Sequence, residues 1–392
     1  MPNDPVVILS ARRTAIGSLL GQFTPVTSPQ LGSAAIRAAV ADAHIKPEEI
    51  DEVIMGCVLP AALGQAPARQ AALGAGLPKS VGCTTINKVC GSGMKATMFA
   101  HDLIVAGTAK LMVAGGMESM TNAPHMLHVR GGVKYGESKL IDHMAWDGLT
   151  NPYDGQAMGV CGELCADKYH FTRAQQDAFS VESVKRAQRA IQDGSFAAEI
   201  VPVTVKTRKG DLSVATDEEP GRCNIEKIPS LRPAFKKDGT VTAASSSSIS
   251  DGAAALVLMR ESLAKQQGLK PLGRILGHAS FAQEPVWFTT SPVSAIDRLQ
   301  KKLGWSEKDV DLYEINEAFA VVTMAAMHDL KLPHSKVNIN GGACALGHPI
   351  GCSGARLIVT LLHALKAHHL KHGIASLCIG GGEATAIALE LA

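Results

Sequence analysis

The C-terminal part of the chain repeats the order of segments found in the N-terminal part. This internal repeat is the feature that most limits the folds available to the chain. Residues 28 to 54 read as a capped helix, an acidic turn and an apolar strand, and residues 291 to 314 repeat that order. A Ser-Gly turn, an amphipathic helix and a strand follow in both places. Matching positions stay offset by about 260 residues: Ser28 with Ser291, Asp51 with Asp311, Ser92 with Ser353, and Gly116 with Gly381. Two related halves are therefore predicted to pack as a pseudo-symmetric pair.

Strands alternate with helices in each half, which predicts α/β halves with helices covering the sheets. Residues 121–250 match neither half, and their polar segments are interrupted by Gly and Pro. One clear helix runs through this excursion, with Thr172 as its cap and Gly194 at its end. We predict an N-terminal half over 1–120, completed by about 251–272, an inserted loop or lid domain over 121–250, and a C-terminal half over 273–392.

Charge and cysteine usage narrow the class of protein. The net charge is +2, and the sequence contains no run of Lys or Arg that could neutralise a phosphate backbone. No nucleic-acid partner is therefore expected. The nine cysteines include no CxxC pair, which favours a reducing compartment, and a cytoplasmic location is expected. We expect no targeting segment at either end, and no apolar stretch approaches the ~20 residues that cross a bilayer.

Cys90 is the first candidate catalytic residue. It stands in NKVCGSG, directly before a Gly-Ser-Gly entry into a helix. The positive end of a helix is expected to stabilise a thiolate, and the flanking glycines leave room for a substrate. The alternative is a small buried apolar residue. The surroundings favour the nucleophile.

His348 lies between glycines and a proline in NGGACALGHPIGCSGAR, with Cys344 and Cys352 four residues away on either side. That spacing admits a metal site of thiolate and imidazole ligands. However, Gly347 and Pro349 break any helix that would stack the three side chains on one face. A rigid, non-helical loop instead suits a general base that must reach both a thiol and a substrate.

Two further segments carry candidate polar groups. Cys378 ends an apolar strand before three glycines, so it is either strand core or part of a site in which backbone N–H groups face a ligand. Asn316 in YEINEAFA is either a helix cap or an amide that holds a water in a cleft.

The segments NKVCGSGMKA, GGMESM, NEAFA, NGGACALGHPIGCSGAR and CIGGG resemble, in order and spacing, the signatures of the thiolase family, of the acetyl-CoA acetyltransferase kind. The resemblance runs essentially end to end. It implies a thiolase-like α/β fold, with two pseudo-symmetric halves layered α-β-α-β-α and an inserted loop domain that binds coenzyme A.

The resemblance also implies a role for each candidate. Cys90 would take the acyl group from a coenzyme A thioester, and His348 would draw off its proton. Cys378 would abstract the α-proton of a second acetyl-CoA, and His348 with a water on Asn316 would stabilise the enolate. The N–H groups of Cys90 and Gly380 would form a second oxyanion hole. The substrates are coenzyme A thioesters, with no resident cofactor and no metal expected.

Substrate contacts follow from the same resemblance, and they fall on Ser247, Met158, Phe235, Phe319 and Ala318. Ser247 lies in a run of four serines, which read alone is a flexible polar loop. Ala157 stands where acetoacetyl-forming relatives often carry a histidine, and Phe288 replaces a common methionine. The loss of a polar donor at position 157, with Met158 kept, would make the acyl pocket more apolar, which leaves longer 3-ketoacyl-CoA substrates open.

Other functions remain open from the sequence. A degradative 3-ketoacyl-CoA thiolase of fatty acid β-oxidation is the main alternative to acetyl-CoA C-acetyltransferase. A ketosynthase that accepts acyl carrier protein is disfavoured because Cys378 replaces the usual third group, and a catalytically silent binding protein is the fourth possibility. The resemblance implies a homo-oligomer, a dimer of dimers, with the tetramer contact near residues 121 to 145.

Overall fold

The computed structural model describes residues 4–392, and its elements follow the duplicated order. The first half contains β1 (Val6–Thr14), β2 (Gly17–Ser18), α1 (Ser28–Asp42), β3 (Glu52–Gly56), α2 (Pro67–Gly74), β4 (Gly82–Ile86), α3 (Ser92–Ala106) and β5 (Leu111–Ser119). The excursion contains β6 (His125–Met126), β7 (Ile141–Asp142), α4 (Met158–Tyr169), α5 (Arg173–Gln192), β8 (Ile200–Val201), β9 (Val203–Thr207), β10 (Gly210–Val214) and α6 (Glu219–Arg222). Then follow β11 (Ser250–Arg260), α7 (Glu261–Gln266), β12 (Gly273–Ala282), α8 (Ser291–Leu303), β13 (Leu312–Ile315), α9 (Ala320–Leu330), α10 (Ala343–Leu346), α11 (Ile350–Ala367), β14 (His372–Ile379) and β15 (Glu383–Leu391).

The two halves have the same strand order. The first runs β4-β3-β5-β11-β1 and the second runs β13-β14-β15-β12, and they join edge to edge where β1 pairs with β12. The place of β4 in the second half is taken by an isolated parallel bridge between Tyr313 and Val337. The predicted duplication is therefore present strand by strand.

A pair of aspartates shows that the repeat extends to single hydrogen bonds. Asp51 accepts from the backbone N–H groups of residues 110 and 111 at 2.6 and 3.0 Å, where β5 begins. Asp311 accepts from those of residues 371 and 372 at 2.9 and 2.8 Å, where β14 begins. The predicted match of these two residues is confirmed.

One predicted match is wrong. Asp51 and Asp311 mark the starts of β5 and β14, so they give an alignment of the two strands. In that alignment Gly116 corresponds to Leu377. Gly116 lies inside β5, opposite Ala254, whereas Gly381 lies in the turn after β14. Gly116 is required for a different reason, because a Cβ there would collide with the carbonyl oxygen of Gly351 on α11.

The layers run α-β-α-β-α through the whole molecule, so the halves share the central layer. Helices α1 and α2 cover the outer face of the first half's sheet, and α8 and α9 cover the outer face of the second. Helices α3 and α11 lie between the sheets in one apolar core. Because these two helices begin with the Cys90 and His348 segments, the central layer determines where the candidate residues meet.

Helix α11 is almost wholly buried, which its apolar sequence requires. Its 18 residues are long and apolar enough to cross a bilayer by composition, contrary to the expectation that no stretch comes close. In the structure 83% of that window lies inside the protein. The apolar composition of α11 is therefore explained by its burial in the central layer.

The inserted segment is tied to both halves. Helix α5 is capped as predicted, with Thr172 accepting from the N–H of Gln175. Strand β8 pairs with β1 through Arg13 and Ile200. The fully buried guanidinium of Arg13 bonds to Asp217, within the insertion, at 2.8 and 2.9 Å.

Candidate active site

The turn that carries Cys90 is strained and held by its own side chains. Val89 has a positive φ of 46°, which is unfavourable for a β-branched residue. Ser92 fixes the turn, since its Oγ accepts from the N–H of Lys88 at 2.8 Å and donates to the carbonyl of Val89 at 2.6 Å. Strain of this kind is tolerated where the surroundings over-determine it, and such residues cluster at functional sites.

Two equivalent glycines let the central helices cross closely at their N-terminal ends. A Cβ on Gly93 of α3 would lie 2.8 Å from the backbone nitrogen of Ala355 on α11. A Cβ on Gly354 of α11 would collide with the backbone nitrogen of Met94 on α3. Each glycine follows the serine that the repeat matched. The close crossing brings the Cys90 turn next to the loop of His348.

An apolar cavity of about 310 Å³ opens where these turns meet. Every predicted site residue lines it except Asn316 and Cys378, namely Cys90, His348, Gly380, Ser247, Met158, Phe235, Phe319 and Ala318. The two exceptions are fully buried, and Cys378 packs against side chains of the cavity wall. The structure therefore brings the predicted residues of both halves and of the insertion to one place.

Cys378 ends β14 and packs in a buried cluster with Phe288, Phe319 and Met158 of the cavity wall. Burial raises the pKa of its thiol well above the ordinary value, and the negative charge of a thiolate at Cys90 raises it further. The two sulfurs are thus near enough to interact electrostatically. Cys378 rests as a thiol.

His348 is held in one tautomer by Ser353. The Oγ of Ser353 donates to the carbonyl of Pro349 at 3.0 Å, so its lone pairs face the Nδ1 of His348 at 2.6 Å. That Nδ1 therefore carries the proton and donates it. The Nε2, buried and without a partner among the described residues, has its lone pair free. Burial, with the nearby charge of Arg356, lowers the pKa of His348 to about 3, so the imidazole is neutral.

Burial also governs Cys90, and here the expectation of a stabilised thiolate is wrong. Burial raises the pKa of the Cys90 thiol to about 11, although the nearby N–H groups of Gly380 and of Cys90 itself act to lower it. Desolvation outweighs the end of the helix because the cavity beside the sulfur is apolar. Cys90 must therefore be activated by a base.

Asn316 is not a helix cap, so that alternative is excluded. Helix α9 begins at Ala320 with Phe319 as its cap residue. Both side-chain polar atoms of Asn316 are buried and without a hydrogen-bond partner among the described residues. Orphaned buried amides are rare, and a water or ligand usually explains them. The arrangement fits an amide that holds a water.

Two buried carboxylates position these loops: Glu118, which the sequence interpretation did not single out, and Glu317, which it considered only as a possible helix cap. Glu118 accepts from the N–H groups of Val58, Leu59 and Gly351 at 2.9, 3.1 and 2.8 Å, which fixes the start of α11. Burial raises the pKa of Glu118 to about 7. Glu317, beside Asn316, is the second, and burial raises its pKa.

The partners of Glu317 explain how the loop of Asn316 is held. Its carboxylate accepts from Asn338 at 2.8 Å, from Ser183 at 2.7 Å and from the N–H of Cys344 at 3.1 Å. These bonds join the second half to α5 of the insertion. Ser353 and Glu118 could have been found from the sequence, since both stand in the segments that carry the resemblance.

The serine run is ordered, which corrects the reading of a flexible loop. Ser245 is fully buried, and its carbonyl accepts from the N–H of Ala320 at 2.8 Å. Ser247 donates to the carbonyl of Ala318 through its N–H and through its Oγ, both at 3.0 Å. Ser247 therefore faces the cavity from a fixed backbone.

Ala157 and Phe288, the two positions that differ from acetoacetyl-forming relatives, both line the cavity. They therefore lie where the acyl pocket was expected. Phe235 packs edge to face on Phe319, with ring centroids 5.8 Å apart. Gly159 leaves space for the Phe235 ring, because a Cβ there would collide with it.

Cys344 and Cys352 do not share a ligand centre with His348. The sulfur of Cys344 lies 3.6 Å from the carbonyl of Glu317, and Cys352 is buried between α3 and α11. The imidazole is oriented by Ser353. The three side chains that suggested a metal therefore have separate surroundings.

Comparisons with known proteins agree with this geometry. Residues 6–262 match the family model described as thiolase, N-terminal domain, and residues 269–391 match thiolase, C-terminal domain. A probable acetyl-CoA acetyltransferase of Dictyostelium discoideum is 51% identical over 99% of this chain and 94% of its own. An acetyl-CoA acetyltransferase of Schizosaccharomyces pombe is 50% identical over 100% of both. The crystal structure of the Acat5 thiolase of Ascaris suum, in complex with coenzyme A, superposes with a TM-score of 0.93 at 42% identity, over 99% of this chain and 100% of that one.

Proposed function

This chain belongs to the thiolase family, and from that premise we propose that it is an acetyl-CoA C-acetyltransferase, which reversibly condenses two acetyl-CoA to acetoacetyl-CoA and coenzyme A. The observation that carries the proposal is the convergence of Cys90, His348 and the N–H of Gly380 on one apolar cavity, with Cys378 directly behind it. Each of these groups has a place in the reaction.

The first half-reaction acylates Cys90. The free Nε2 of His348 takes the thiol proton, and the sulfur attacks the thioester carbonyl. The N–H groups of Cys90 and Gly380 meet the negative charge on the tetrahedral oxygen. As the intermediate collapses, the coenzyme A sulfur leaves and takes the proton of Cys378. Acetyl-Cys90, an imidazolium and the Cys378 thiolate remain.

The second half-reaction forms the carbon–carbon bond. The Cys378 thiolate removes the α-proton of a second acetyl-CoA, and the enolate oxygen is stabilised by the protonated Nε2 of His348 and by a water on Asn316. The enolate carbon attacks the acyl group on Cys90. The Cys90 sulfur leaves and regains its proton from His348, so all three groups return to their starting states. Every proton is moved by these side chains, and we propose that no resident cofactor takes part.

Peptide mass spectrometry tests the proposal. After incubation with acetyl-CoA and digestion, the peptide containing Cys90 should gain an acetyl group. Cys378→Ser should still be acetylated but should not condense, and Cys90→Ser should not be acetylated. An unmodified Cys90, or condensation that persists in Cys378→Ser, would overturn the mechanism.

The chain length of the acyl substrate is set by the same cavity. We propose that short 3-ketoacyl-CoA substrates are preferred, and the apolar surfaces of Ala157 and Phe288 favour some turnover of longer ones. Thiolysis rates should be measured over a series of 3-ketoacyl-CoA lengths. Rates that rise with length would instead support the degradative 3-ketoacyl-CoA thiolase.

We also propose a homo-oligomer, a dimer of dimers. It is supported by apolar side chains left exposed between residues 127 and 140, of which Tyr135 is 100% and Leu140 65% exposed. Light scattering after gel filtration should give a tetramer for the protein and a smaller species for Tyr135→Ser with Leu140→Ser. A monomer at micromolar concentration would contradict the proposal.

A cytoplasmic location is proposed on the state of the cysteines, since all nine are free thiols in the structure. A reducing compartment preserves such thiols. Fractionation of cells that produce the tagged full chain should place it with cytosolic markers, and enrichment with organelles would contradict this.

A further inference from the structure

A cluster of three side chains, distant in sequence from the catalytic residues, joins the two halves of the molecule. His101 and Asp102 lie on α3, and His278 lies on β12. Among residues 4–392 they are the one group of three or more His, Cys, Asp or Glu side chains whose ligand atoms all lie within 4.8 Å of one another. The proposed reaction uses none of them.

The geometry of the cluster is close to what a metal ion needs. A single oxygen of Asp102, Oδ1, lies 2.9 Å from the Nδ1 of His101 and 2.9 Å from the Nε2 of His278. The two imidazole rings are perpendicular, with centroids 5.1 Å apart. A metal bound at about 2.1 Å from each ligand needs donor atoms roughly 3 Å apart. The two separations from Oδ1 already fit, whereas the two ring nitrogens, which lie within 4.8 Å of each other, must move closer together when an ion binds.

The hydrogen bonds of the cluster show what a metal ion would replace. An aspartate carboxylate only accepts, so the Nδ1 of His101 and the Nε2 of His278 carry the protons that they donate to Oδ1 of Asp102. A metal ion would take the place of these two protons, with each ring moving its proton to the other nitrogen.

The surroundings leave one side open. The side chains of His101 and His278 are only 17% and 14% exposed, whereas Asp102 is 53% exposed. Water can therefore complete the coordination of an ion held by the three ligands. One positive charge opposes binding, because the Nζ of Lys302 donates to the carbonyl of His278 at 3.3 Å. We expect moderate rather than tight affinity.

We propose that His101, Asp102 and His278 bind a divalent transition-metal ion of the Zn²⁺, Co²⁺ and Ni²⁺ class. Two imidazoles with one carboxylate select such ions over Mg²⁺ and Ca²⁺, which prefer all-oxygen ligands. The bound ion would cross-link α3 of the first half to β12 of the second. It would stabilise the folded protein in proportion to its concentration, without touching the reaction.

Titration of the purified full chain with Co²⁺ tests the site, because thiolate and nitrogen or oxygen ligands give different spectra. The protein should bind Co²⁺ with weak visible bands typical of nitrogen and oxygen ligands, separate from the intense near-ultraviolet band of any cysteine-bound ion. His278→Ala and Asp102→Asn should each lose that binding by roughly tenfold or more. Zn²⁺ should raise the melting temperature of the parent protein and leave that of His278→Ala unchanged.

A matched control lies on the same molecule. His328 and Asp329 are also adjacent on the chain, with Nδ1 and Oδ1 2.8 Å apart, but within residues 4–392 no third His, Cys, Asp or Glu side chain forms a ligand cluster with them. His328→Ala should bind Co²⁺ as the parent does. Equal Co²⁺ binding by the parent and by His278→Ala, or no uptake by the parent at millimolar Co²⁺, would overturn the proposal. Asp102→Asn keeps the side-chain volume and decides the matter if His278→Ala folds poorly.

Discussion

At the scale of single residues, the base of the proposed reaction depends on a serine hydroxyl. Ser353 accepts a hydrogen bond from the Nδ1–H of His348 and donates one to the carbonyl of Pro349, so it keeps the Nε2 lone pair on the cavity side. Ser353→Ala removes the acceptor and lets the ring adopt the other tautomer. We expect kcat to fall by roughly 10- to 1000-fold with KM little changed, since a positioned base contributes about 10²–10⁴. Steady-state kinetics measure the split.

Two control variants accompany Ser353→Ala. Ser353→Thr keeps a hydroxyl and should restore most of kcat. Ser33→Ala removes a buried serine that also donates to the carbonyl of a proline four residues earlier, at 2.8 Å, but lies on α1 away from the site. It should leave kcat unchanged. Full activity of Ser353→Ala would show that His348 keeps its tautomer by other means.

The thiol of Cys90 provides a second prediction at this scale. With its pKa raised to about 11, only a small fraction is thiolate at neutral pH, and that fraction grows about tenfold for each pH unit up to the pKa. Alkylation of Cys90 by iodoacetamide should therefore accelerate steadily from pH 6 to 9. Mass spectrometry of the Cys90 peptide follows the rate. A plateau near neutrality would mean that a nearby positive charge keeps the thiolate.

At the scale of elements, the crossing of α3 and α11 is the feature on which the cavity depends. A Cβ at position 354 would collide with backbone atoms of α3, which cannot move as a flexible side chain can. Gly354→Ala should destabilise the protein by about 1–3 kcal/mol through overpacking, and should also lower kcat by shifting Cys90 from His348. Denaturant unfolding and turnover are the measurements.

The comparison for Gly354→Ala must also be a glycine in a helix, because alanine alone favours a helix. Gly221 of α6 has an ordinary backbone conformation and nothing within 4 Å of a Cβ. Gly221→Ala should be neutral or stabilising by up to about 1 kcal/mol. If Gly354→Ala behaved in the same way, the close crossing would not determine the packing.

Two helices of the inserted segment, α5 and α4, show where prediction from sequence succeeds and where it fails. The capped helix from Thr172 was predictable because its signals are local. Helix α4 was not predicted, since Gly159 and Gly162 in its first turns read as a loop. Gly159 is needed because the ring of Phe235 occupies the place of its side chain. A contact between residues so distant in sequence leaves no local trace.

For the candidate site, too, some features could be predicted from the sequence and others could not. Cys90 and His348 could be singled out from sequence because each stands beside glycines at the start of a central helix, whereas Asn316 and Cys378 needed the family resemblance. The protonation states of these residues could not be predicted, because the pKa of Cys90 depends on how far apolar walls enclose the sulfur. The order of segments along the chain followed from the duplication, while the order of strands in the sheet, the junction of β1 with β12 and the pairing of β8 with β1 required the structure.

At the scale of the whole molecule, one buried arginine links the first half to the inserted segment. Arg13 is fully buried, bonded to Glu199 at 2.5 Å and to Asp217 at 2.8 and 2.9 Å. Glu199 also accepts from Thr360 of α11 at 3.1 Å. Because these groups lie on β1, the insertion and the central layer, the ion pairs hold the inserted segment to the first half and to α11.

Asp217→Asn should therefore destabilise the protein by about 3–5 kcal/mol, since it leaves a buried guanidinium partly uncompensated. The neighbouring pair of Arg12 with Asp42 is the control, because Asp42 is 48% exposed and its ion pair is screened by water. Asp42→Asn should cost less than about 1 kcal/mol. Urea unfolding of the three proteins at one ionic strength gives the comparison. Equal losses of unfolding free energy for the two variants would show that the buried pairs do not hold the insertion to the first half. In that case proteolysis within residues 121–250 should be no faster in Asp217→Asn than in the parent.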